Sequence, residues 1–448
     1  MTDERPWAGR RLHFIGIGGA GMSGLAVVAL ALGAEVSGSD RAASPTLERL
    51  RAAGAATVVG HDAANVPAGA DAEVVYSTAV PEDNPERAVA RERGQRELHR
   101  ADLLAEITAL RRCIAVTGTH GKTTTSSMVV HALRGCGMDP GYLVGGEVRS
   151  TGANAGWGAG EWVVVEADES DRSLLKLHPD IAVLTNAELD HHSTYGSQLD
   201  VDETFRQFLA RAREGIVVWD RAELGALAAA ANAPTVAYDV PDPRLDPTGS
   251  RFDWRGHAVR LRVPGAHNAL NAAAALEACR LAGADPAQAA VALADFAGAG
   301  RRFERLGITR SGAEVYDDYA HHPTEVAATI AAARTLDPRR VVAVFQPHLY
   351  SRTRALARDF GRALAAADLV VVLDVYRARE RPEDFPGVDG KLIADAAAEA
   401  AGGRTVAWLP RFADAERFLQ AHLRTGDVCL AMGAGDVDEL ARAVVVQP

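Results

Sequence analysis

Two glycine-rich loops, each lying between an apolar strand and a helix, constrain this chain more than any other feature. Residues 16–21 have the spacing G-x-G-x-x-G and stand at the end of the apolar run 12–17. Residues 117–124 read TGTHGKTT and follow the apolar strand 113–116. Because glycines let backbone N–H groups approach an anion at a helix N-terminus, both loops predict phosphate binding. Two such units in one chain predict more than one α/β domain.

The length and the changes in composition along the chain predict three domains. A chain of 448 residues is longer than one ordinary core requires. The first α/β pattern reaches a helix near residue 107, and the second includes an Asp- and Pro-rich stretch, residues 239–248, that predicts an exposed loop. Beyond residue 300, strands again alternate with Ala-rich helices. We therefore expect domains at residues 1–107, 108–300 and 301–448.

Net charge and cysteine usage exclude several classes of function. Forty-eight Lys and Arg against 59 Asp and Glu give a net charge of −11, so there is no overall cationic field for a nucleic acid or an anionic membrane. The four cysteines form no C-x-x-C pair, which is typical of isolated thiols in a reducing compartment. No run reaches the roughly 18 apolar residues of a membrane span. We expect a cytoplasmic protein with no nucleic-acid or membrane partner.

The first glycine loop predicts a diphosphate ligand but does not identify it. Asp40 closes the next strand, as the ribose-binding acid of a dinucleotide enzyme does. Alone, the pattern favours a nicotinamide or flavin enzyme. The alternative is a glycine turn that serves only the packing of helix on sheet.

The second glycine loop predicts a triphosphate site. Lys122 is placed to meet the β and γ oxygens of ATP, and the hydroxyl of Thr123 is placed to reach magnesium. The loop departs from the spacing G-x-x-x-x-G-K-[ST], because Val116 stands where the first glycine would fall. The alternative is a surface turn without a ligand.

Polar side chains follow two further apolar strands, at the sheet edge where open α/β sheets bind ligands. Glu166, within the run EADESD, could hold magnesium or an attacking group, whereas a solvated turn is the alternative for this acidic run. His191, within NAELDHH, could complete a magnesium or substrate shell as a neutral imidazole. Paired histidines in a loop are otherwise merely exposed.

Taken in order, the blocks GIGGAGMSGLA, TGTHGKTTT, EADESD, NAELDHH, GAHNALNAAAA, RRFE, DDYAHHPTE and FQPHLYSRT resemble the Mur ligase family. The resemblance covers nearly the whole chain, from Arg11 to the glycine turn at residues 432–436. DDYAHHP and FQPHLYSR are far more specific than either glycine loop.

The resemblance implies an α/β fold of three domains: a Rossmann-like N-terminal domain, a central P-loop ATPase-like domain and a Rossmann-like C-terminal domain. It also implies an activity, in which ATP and Mg²⁺ activate the lactyl carboxylate of UDP-N-acetylmuramate as an acyl phosphate and L-alanine then attacks. Since the second loop takes ATP, the first is left for the diphosphate of the UDP-sugar, with Asp40 near the uridine end. The chain is expected to be a monomer or a homodimer.

The resemblance also assigns roles to individual residues. The catalytic residues implied are Lys122, Glu166, His191 and Arg302, and the metal ligands are Thr123, Glu166 and His191. ATP is expected to contact Gly118, Thr119, His120, Gly121, Lys122, Thr123, Thr124, Asn268, Asn271, Arg302 and Asp317. The UDP-sugar is expected to contact Gly16, Gly18, Gly19, Ala20, Gly21, Met22, Ser23, Ser39, Asp40, Ser77, Thr78 and Ala79. The alanine and muramyl groups are expected to contact Tyr319, His321, His348 and Arg352.

Three other functions stay open at this point. A sister ligase that recycles a whole tripeptide onto UDP-N-acetylmuramate shares most of these motifs. A nicotinamide dehydrogenase explains the first loop but leaves the Gly-Lys-Thr loop without a role. An ATP-driven binding or motor protein explains neither the first loop nor DDYAHHP. Lys176 is the only lysine between Glu166 and His191, where several family members carry a carbamylated lysine, and the alanine-adding branch is not expected to need one.

Overall fold

The computed structural model describes residues 5–192 and 194–446 of the chain. The chain forms two compact units. The first contains Met1–Ala187, Asp202–Tyr238 and Ala274–Ala289, and the second contains Glu188–Val201, Asp239–Ala273 and Ala290–Pro448. Because the chain crosses between them several times, neither unit is one continuous segment.

The first unit opens with a five-stranded parallel sheet in the order β3-β2-β1-β4-β5. Its strands are β1 (Arg11–Ile15), β2 (Glu35–Asp40), β3 (Ala56–Val59), β4 (Ala72–Tyr76) and β5 (Glu97–His99). Its helices are α1 (Ala20–Ala31), α2 (Pro45–Ala52), α3 (Pro85–Glu92) and α4 (Arg100–Thr108). The crossover from β1 through α1 to β2 places the first glycine loop at the carboxyl edge of this sheet, where open α/β sheets bind ligands.

A second sheet of seven strands follows in the order β12-β11-β10-β6-β9-β7-β8, parallel except for the edge strand β8. Its strands are β6 (Arg112–Thr117), β7 (Gly141–Val148), β8 (Ala153–Gly156), β9 (Trp162–Glu166), β10 (Ile181–Leu184), β11 (Gly215–Trp219) and β12 (Thr235–Tyr238). Its central strands are continuous apolar runs, as expected for a parallel sheet covered on both faces. The helices of this part are α5 (Lys122–Gly135), α6 (Gln198–Leu209), α7 (Ala222–Ala228), α8 (Ala266–Leu281) and α9 (Pro286–Ala292).

The first sheet of the second unit has three antiparallel strands, which the sequence analysis did not predict. Its strands are β13 (Arg244–Asp246), β14 (Gly249–Trp254) and β15 (His257–Leu261). The exposed loop expected over residues 239–248 is therefore only partly a loop. At the tight turn between β13 and β14, Thr248 N donates to Oδ1 of Asp246 (2.7 Å), and Gly249 adopts φ +132°.

The C-terminal sheet has six strands in the order β16-β17-β21-β18-β19-β20, parallel except for the edge strand β16. Its strands are β16 (Glu304–Ile308), β17 (Glu314–Asp318), β18 (Arg340–Phe345), β19 (Leu369–Val372), β20 (Thr405–Trp408) and β21 (Asp427–Met432). Its helices are α10 (Pro323–Arg334), α11 (Tyr350–Leu364), α12 (Gly390–Ala400), α13 (Phe412–His422) and α14 (Val437–Val444). An apolar cluster covers each face of the sheet, one around Phe345 and Phe360 and the other around Leu419 and Leu440.

The predicted α/β class with parallel sheets is confirmed. Within the described ranges, four short 3-10 helices complete the elements, at Ala63–Asn65, Ser173–Lys176, Leu293–Asp295 and Pro382–Asp384. The four cysteines are free thiols, as expected. No helix in the described part of the chain has both the length and the apolar character that crossing a bilayer requires.

Candidate active site

The second glycine loop joins β6 to α5 and depends on glycine at two positions. Gly121 caps α5 with φ +82°, and Gly118 adopts φ +129°. A Cβ on Gly118 would lie 2.2 Å from Oγ1 of Thr185 and 2.9 Å from the carbonyl oxygen of Asn186. Any side chain at position 118 would therefore force the loop away from the end of β10.

Asn186, which the sequence interpretation did not select, hydrogen-bonds to the same loop. Its Oδ1 accepts from His120 N (2.8 Å), and its Nδ2 donates to the His120 carbonyl (3.0 Å). Thr119 N also donates to the Asn186 carbonyl (3.3 Å). The position of Asn186, two residues after the end of β10 at Leu184, is the signal that could have identified it.

Lys122 is half-buried and folds back over its own loop. Its Nζ donates to the carbonyl of Gly118 (2.7 Å) and to Oε1 of Glu169 (3.0 Å). Burial opposes the charged form, but the surrounding carboxylates, above all that of Glu169, outweigh burial and raise the pKa of Lys122. The ammonium group is therefore held in its charged form beside the loop that would cradle phosphates. Glu169 is a second residue that sequence reading did not select.

Thr123 and Glu166 form an oxygen-rich pair at the start of α5. The Thr123 hydroxyl lies 3.0 Å and 3.2 Å from the two carboxylate oxygens of Glu166. Gly145 N donates to Oε2 of Glu166 (2.8 Å), which fixes the carboxylate toward the helix. A hydroxyl and a carboxylate are hard oxygen ligands of the kind that Mg²⁺ prefers, so this pair fits the expected ion.

The acidic run after β9 is not a solvated turn. Arg100, at the start of α4, pairs with Oδ2 of Asp168 (3.0 Å) and with Oδ2 of Asp171 (2.8 Å). Burial disfavours the charged form of Asp168, but Arg100 and Lys122 outweigh it and lower the pKa of Asp168 to about 2. Asp168 therefore interacts electrostatically with both Arg100 and Lys122. Neither the sequence motifs nor their spacing indicated Arg100.

The first glycine loop lies at the end of β1, with Gly16 at φ +75° and Gly19 capping α1 without a side-chain bond. Gly18 N donates to Oδ2 of Asp40 (2.8 Å), and a Cβ on Gly18 would lie 2.8 Å from that same oxygen. The carboxylate of Asp40 therefore defines the shape of the loop. A side chain at position 18 would have to displace this carboxylate.

The other residues expected to contact the UDP-sugar differ in exposure. Thr78 and Ala79 are exposed beyond the end of β4, and Ser77 is half-buried. Met22 and Ser23 are buried on α1. The Ser39 hydroxyl is fully buried and donates to Oε2 of Glu86 (2.6 Å). Ala20 and Gly21 form the first turn of α1.

In the second unit, Asn268 and Asn271 lie on one face of α8, as their spacing predicts. Nδ2 of Asn271 is 3.4 Å from Oδ1 of Asn268, and Nδ2 of Asn268 donates to the Pro264 carbonyl (2.7 Å). Both side chains are buried. Their proposed contact with adenine stays a prediction.

The RRFE turn places its two arginines differently. Arg301 donates through Nε to Oδ2 of Asp317 (3.0 Å) and through its remaining nitrogens to the carbonyls of Gly435 and Gly433. Both guanidinium groups also lie against the ring of Tyr319, with their central carbons 5.2 Å (Arg301) and 5.1 Å (Arg302) from the ring centroid. Asp317 is fully buried, and burial raises its pKa. The partner of Asp317 is thus Arg301, which the sequence interpretation did not select.

The segment after β10 contributes a buried ion pair to the second unit. Nε and Nη2 of Arg352 donate to the two carboxylate oxygens of Asp190 at 2.9 Å and 3.1 Å. Both side chains are only 3% exposed. Burial disfavours the charged form of Asp190, but Arg352 outweighs it and holds the pKa of that carboxyl far below its usual range. His191, next in the chain, has a backbone φ of +50° and a side chain that is 18% exposed.

Two neutral imidazoles lie beside this ion pair. Burial lowers the pKa of His321 to about 4 and that of His348 to about 3. Their ring centroids are 6.0 Å apart in an edge-to-face arrangement. At neutral pH both rings are therefore uncharged, and each has one nitrogen that donates and one that accepts.

The structure thus brings together Lys122, Thr123 and Glu166 in the first unit, and Arg302, Tyr319, His321, His348 and Arg352 in the second. Lys176 pairs with Asp102 through Nζ (2.6 Å). The assigned contacts with ATP, the UDP-sugar and alanine remain predictions.

Comparison with known proteins identifies the family. Three family models match the chain in order: Mur ligase family, catalytic domain, over residues 11–112; Mur ligase middle domain, over 116–279; and Mur ligase, glutamate ligase domain, over 301–435. A curated relative from Mycobacterium sp. (strain JLS), named UDP-N-acetylmuramate–L-alanine ligase, is 45% identical over 466 residues. That match covers 97% of this chain and 94% of the relative.

Two solved structures extend the comparison. A UDP-N-acetylmuramate-alanine ligase from Thermotoga maritima matches with a TM-score of 0.80 and 30% identity, covering 96% of this chain and 97% of the other. A murein peptide ligase from Psychrobacter arcticus matches with a TM-score of 0.70 and 24% identity, covering 98% and 100%. The second match concerns the fold alone.

Proposed function

The chain belongs to the Mur ligase family, and we propose that it joins L-alanine to the lactyl carboxylate of UDP-N-acetylmuramate in a reaction driven by ATP. The three-domain α/β architecture expected from the sequence is that of the family. The observation that carries the proposal is the loop from β6 to α5, where Lys122 stands beside the oxygen pair of Thr123 and Glu166. Curated relatives that match nearly the whole chain carry the name of this activity.

The reaction must activate a carboxylate, because a carboxylate does not react with an amine at neutral pH. Transfer of the γ-phosphoryl group of ATP to the lactyl carboxylate gives an acyl phosphate and ADP. Lys122 exchanges Glu169 for the β and γ oxygens and stabilises the charge that spreads over them. Thr123 and Glu166, with His191 as a third ligand, would hold Mg²⁺, which supplies further positive charge to the same oxygens.

The second step forms the amide bond. The neutral amine of alanine attacks the acyl carbon, and inorganic phosphate leaves. Glu166 and His191 are both candidates for removal of the amine proton. Asn268 and Asn271 bind adenine, Arg302 and Asp317 lie at the nucleotide, and Tyr319, His321, His348 and Arg352 form the alanine and muramyl site.

We also propose the wider properties of the chain. Its domains are residues 1–107, 108–300 and 301–448, it acts in the cytoplasm, and it is a monomer or a homodimer. The net charge of −11 supports the absence of a nucleic-acid partner. UDP-N-acetylmuramate, L-alanine and ATP are its substrates.

Product analysis tests the proposed function. With UDP-N-acetylmuramate, magnesium, ATP and a panel of amino acids, we expect amide formation with L-alanine and release of ADP and phosphate, because Lys122 addresses the β and γ oxygens. AMP and pyrophosphate would contradict the acyl-phosphate scheme. A competition between free L-alanine and the tripeptide L-alanyl-γ-D-glutamyl-meso-diaminopimelate distinguishes the recycling ligase, which would incorporate the tripeptide preferentially.

The first glycine loop is proposed to hold the diphosphate of the UDP-sugar, since ATP is assigned to the second loop. Gly18→Val is expected to weaken binding of UDP-N-acetylmuramate by tenfold or more, because the new side chain meets the carboxylate of Asp40, while ATP affinity is retained. Isothermal titration calorimetry measures both affinities. Gly225→Val is the matched control, since its backbone is not in the left-handed region and nothing lies within 4 Å of a Cβ there. Tight binding of NADH to the wild-type protein would overturn the assignment.

A further inference from the structure

The guanidinium group of Arg352 is hydrogen-bonded to other side chains of the protein. Nε and Nη2 make a two-pronged contact with both carboxylate oxygens of Asp190, at 2.9 Å and 3.1 Å. This is the planar fork that a substrate carboxylate would otherwise occupy. Because both side chains are only 3% exposed, separating them would leave two buried charges without partners.

The remaining terminal nitrogen of Arg352 fixes the tautomer of His348. Nη1 lies 3.2 Å from Nδ1 of His348, and a guanidinium group can only donate. Nδ1 of His348 is therefore the accepting nitrogen, and in a neutral ring the proton must be on Nε2. The ring also stacks on Tyr376, with centroids 5.8 Å apart and an interplanar angle of 13°, which holds its orientation.

His321 is held in the opposite tautomer. Its Nδ1 lies 2.9 Å from the carbonyl oxygen of Tyr319, which can only accept. Nδ1 therefore carries the proton, and Nε2 of His321 is the accepting nitrogen. In the part of the chain that the structure describes, no protein hydrogen bond engages Nε2 of His321 or of His348.

We propose that Asp190 is a positioning residue of the amino-acid site: by holding Arg352, it fixes His348 as an Nε2–H donor, so that His348 rather than Arg352 binds the substrate carboxylate. Nε2 of His321 then accepts from the amino group. A free amino acid has one group that needs a donor and one that needs an acceptor, and the two rings supply one of each. This inference rests on the proposed ligase function and specifies which side chains of its amino-acid site bind the carboxylate and the amino group.

The kinetic test compares Asp190→Asn with Arg352→Gln and the double variant. If the pair acts as one unit, each single variant raises the KM for alanine by about tenfold or more, which is the loss of one charge-assisted hydrogen bond, and leaves the KM for ATP unchanged. The double variant is then no worse than either single one. If Arg352 itself binds the carboxylate, Asp190→Asn frees it, and an unchanged or lower KM for alanine overturns the inference.

Asp384→Asn is the matched control, because it makes the same substitution in an exposed pair with Arg381 and should change neither KM. Wild-type activity with alanine distinguishes failure of the proposed function from failure of the role proposed for Asp190. A wild-type protein that forms no alanine product refutes the proposed function. A wild-type protein that forms it, with Asp190→Asn retaining the wild-type KM for alanine, refutes only the role of Asp190.

A spectroscopic measurement decides the case even if Asp190→Asn does not fold. Nitrogen-15 NMR of histidine-labelled wild-type protein is expected to show His348 protonated on Nε2 and His321 protonated on Nδ1 at neutral pH. Arg352→Gln is expected to remove the preference at His348 and to leave His321 unchanged. His348 protonated on Nδ1 in the wild-type protein would overturn the proposal.

Discussion

Lys122→Ala is expected to lower turnover by on the order of a thousandfold or more, because it removes the positive charge that stabilises the phosphoryl group during transfer. The side chain is 14% exposed and is in contact with Glu169, so it is already desolvated and charged beside the loop. Preorganisation of this kind makes a charge most effective, since no solvent has to be removed during the reaction. Steady-state kinetics with saturating substrates measures the effect.

Two controls separate catalysis from folding in this experiment. Lys391→Ala removes an exposed lysine that pairs with Asp395, and it should retain wild-type turnover. Lys122→Ala leaves Glu169 buried with one cation fewer, so its thermal unfolding is measured in parallel. Folded Lys122→Ala with turnover within tenfold of wild type would contradict the role of this lysine.

Gly118→Ala is expected to abolish measurable ATP binding and to destabilise the protein by roughly 3 kcal/mol or more, because it combines a disfavoured backbone conformation with a severe contact. The backbone at this glycine has φ +129°, and its Cβ would lie 2.2 Å from Oγ1 of Thr185. The nearby backbone atoms of Asn186, at 2.9 Å and 3.0 Å, leave the new methyl group no alternative position.

Gly137→Ala provides the matched comparison for this substitution. Gly137, just after the end of α5, also has a positive φ, +75°, but nothing lies within 4 Å of its Cβ. We expect this variant to lose about 1 kcal/mol of stability and to bind ATP normally. Chemical denaturation and nucleotide titration of both variants measure the difference. Equal losses in the two proteins would show that the contact with Thr185 is unimportant.

The parts of the site that depend on local sequence could be predicted, and the parts that depend on distant contacts could not. A strand, a glycine loop and a helix follow one another in the chain, so Lys122, Thr123 and Gly18 were identifiable from spacing alone. Glu166 was identifiable because it ends a buried strand. Asp40 was also identified, but its contact with Gly18 N was not, because the sequence does not specify which carboxylate oxygen faces which backbone group.

Contacts between residues far apart in the chain escaped the sequence interpretation. Asp190 and Arg352 are separated by 162 positions, and no spacing rule connects them. The same holds for Arg100, which meets Asp168 across 68 positions. Arg301 and Arg302 are neighbours, yet only the folded turn reveals that the first is bound to Asp317. Pairing of this kind follows from sheet order, which a motif does not contain.

The hydrogen bonds between Asn186 and His120 have a consequence for protein engineering. The phosphate loop does not hold its shape alone, because Asn186 hydrogen-bonds to it from a position just beyond β10, 66 residues after His120. Grafting residues 117–124 alone onto another scaffold would transplant the glycines and the lysine without the amide that braces them. A functional graft must carry the end of β10 as well, so the smallest transferable module is a pair of adjacent strands with their loops.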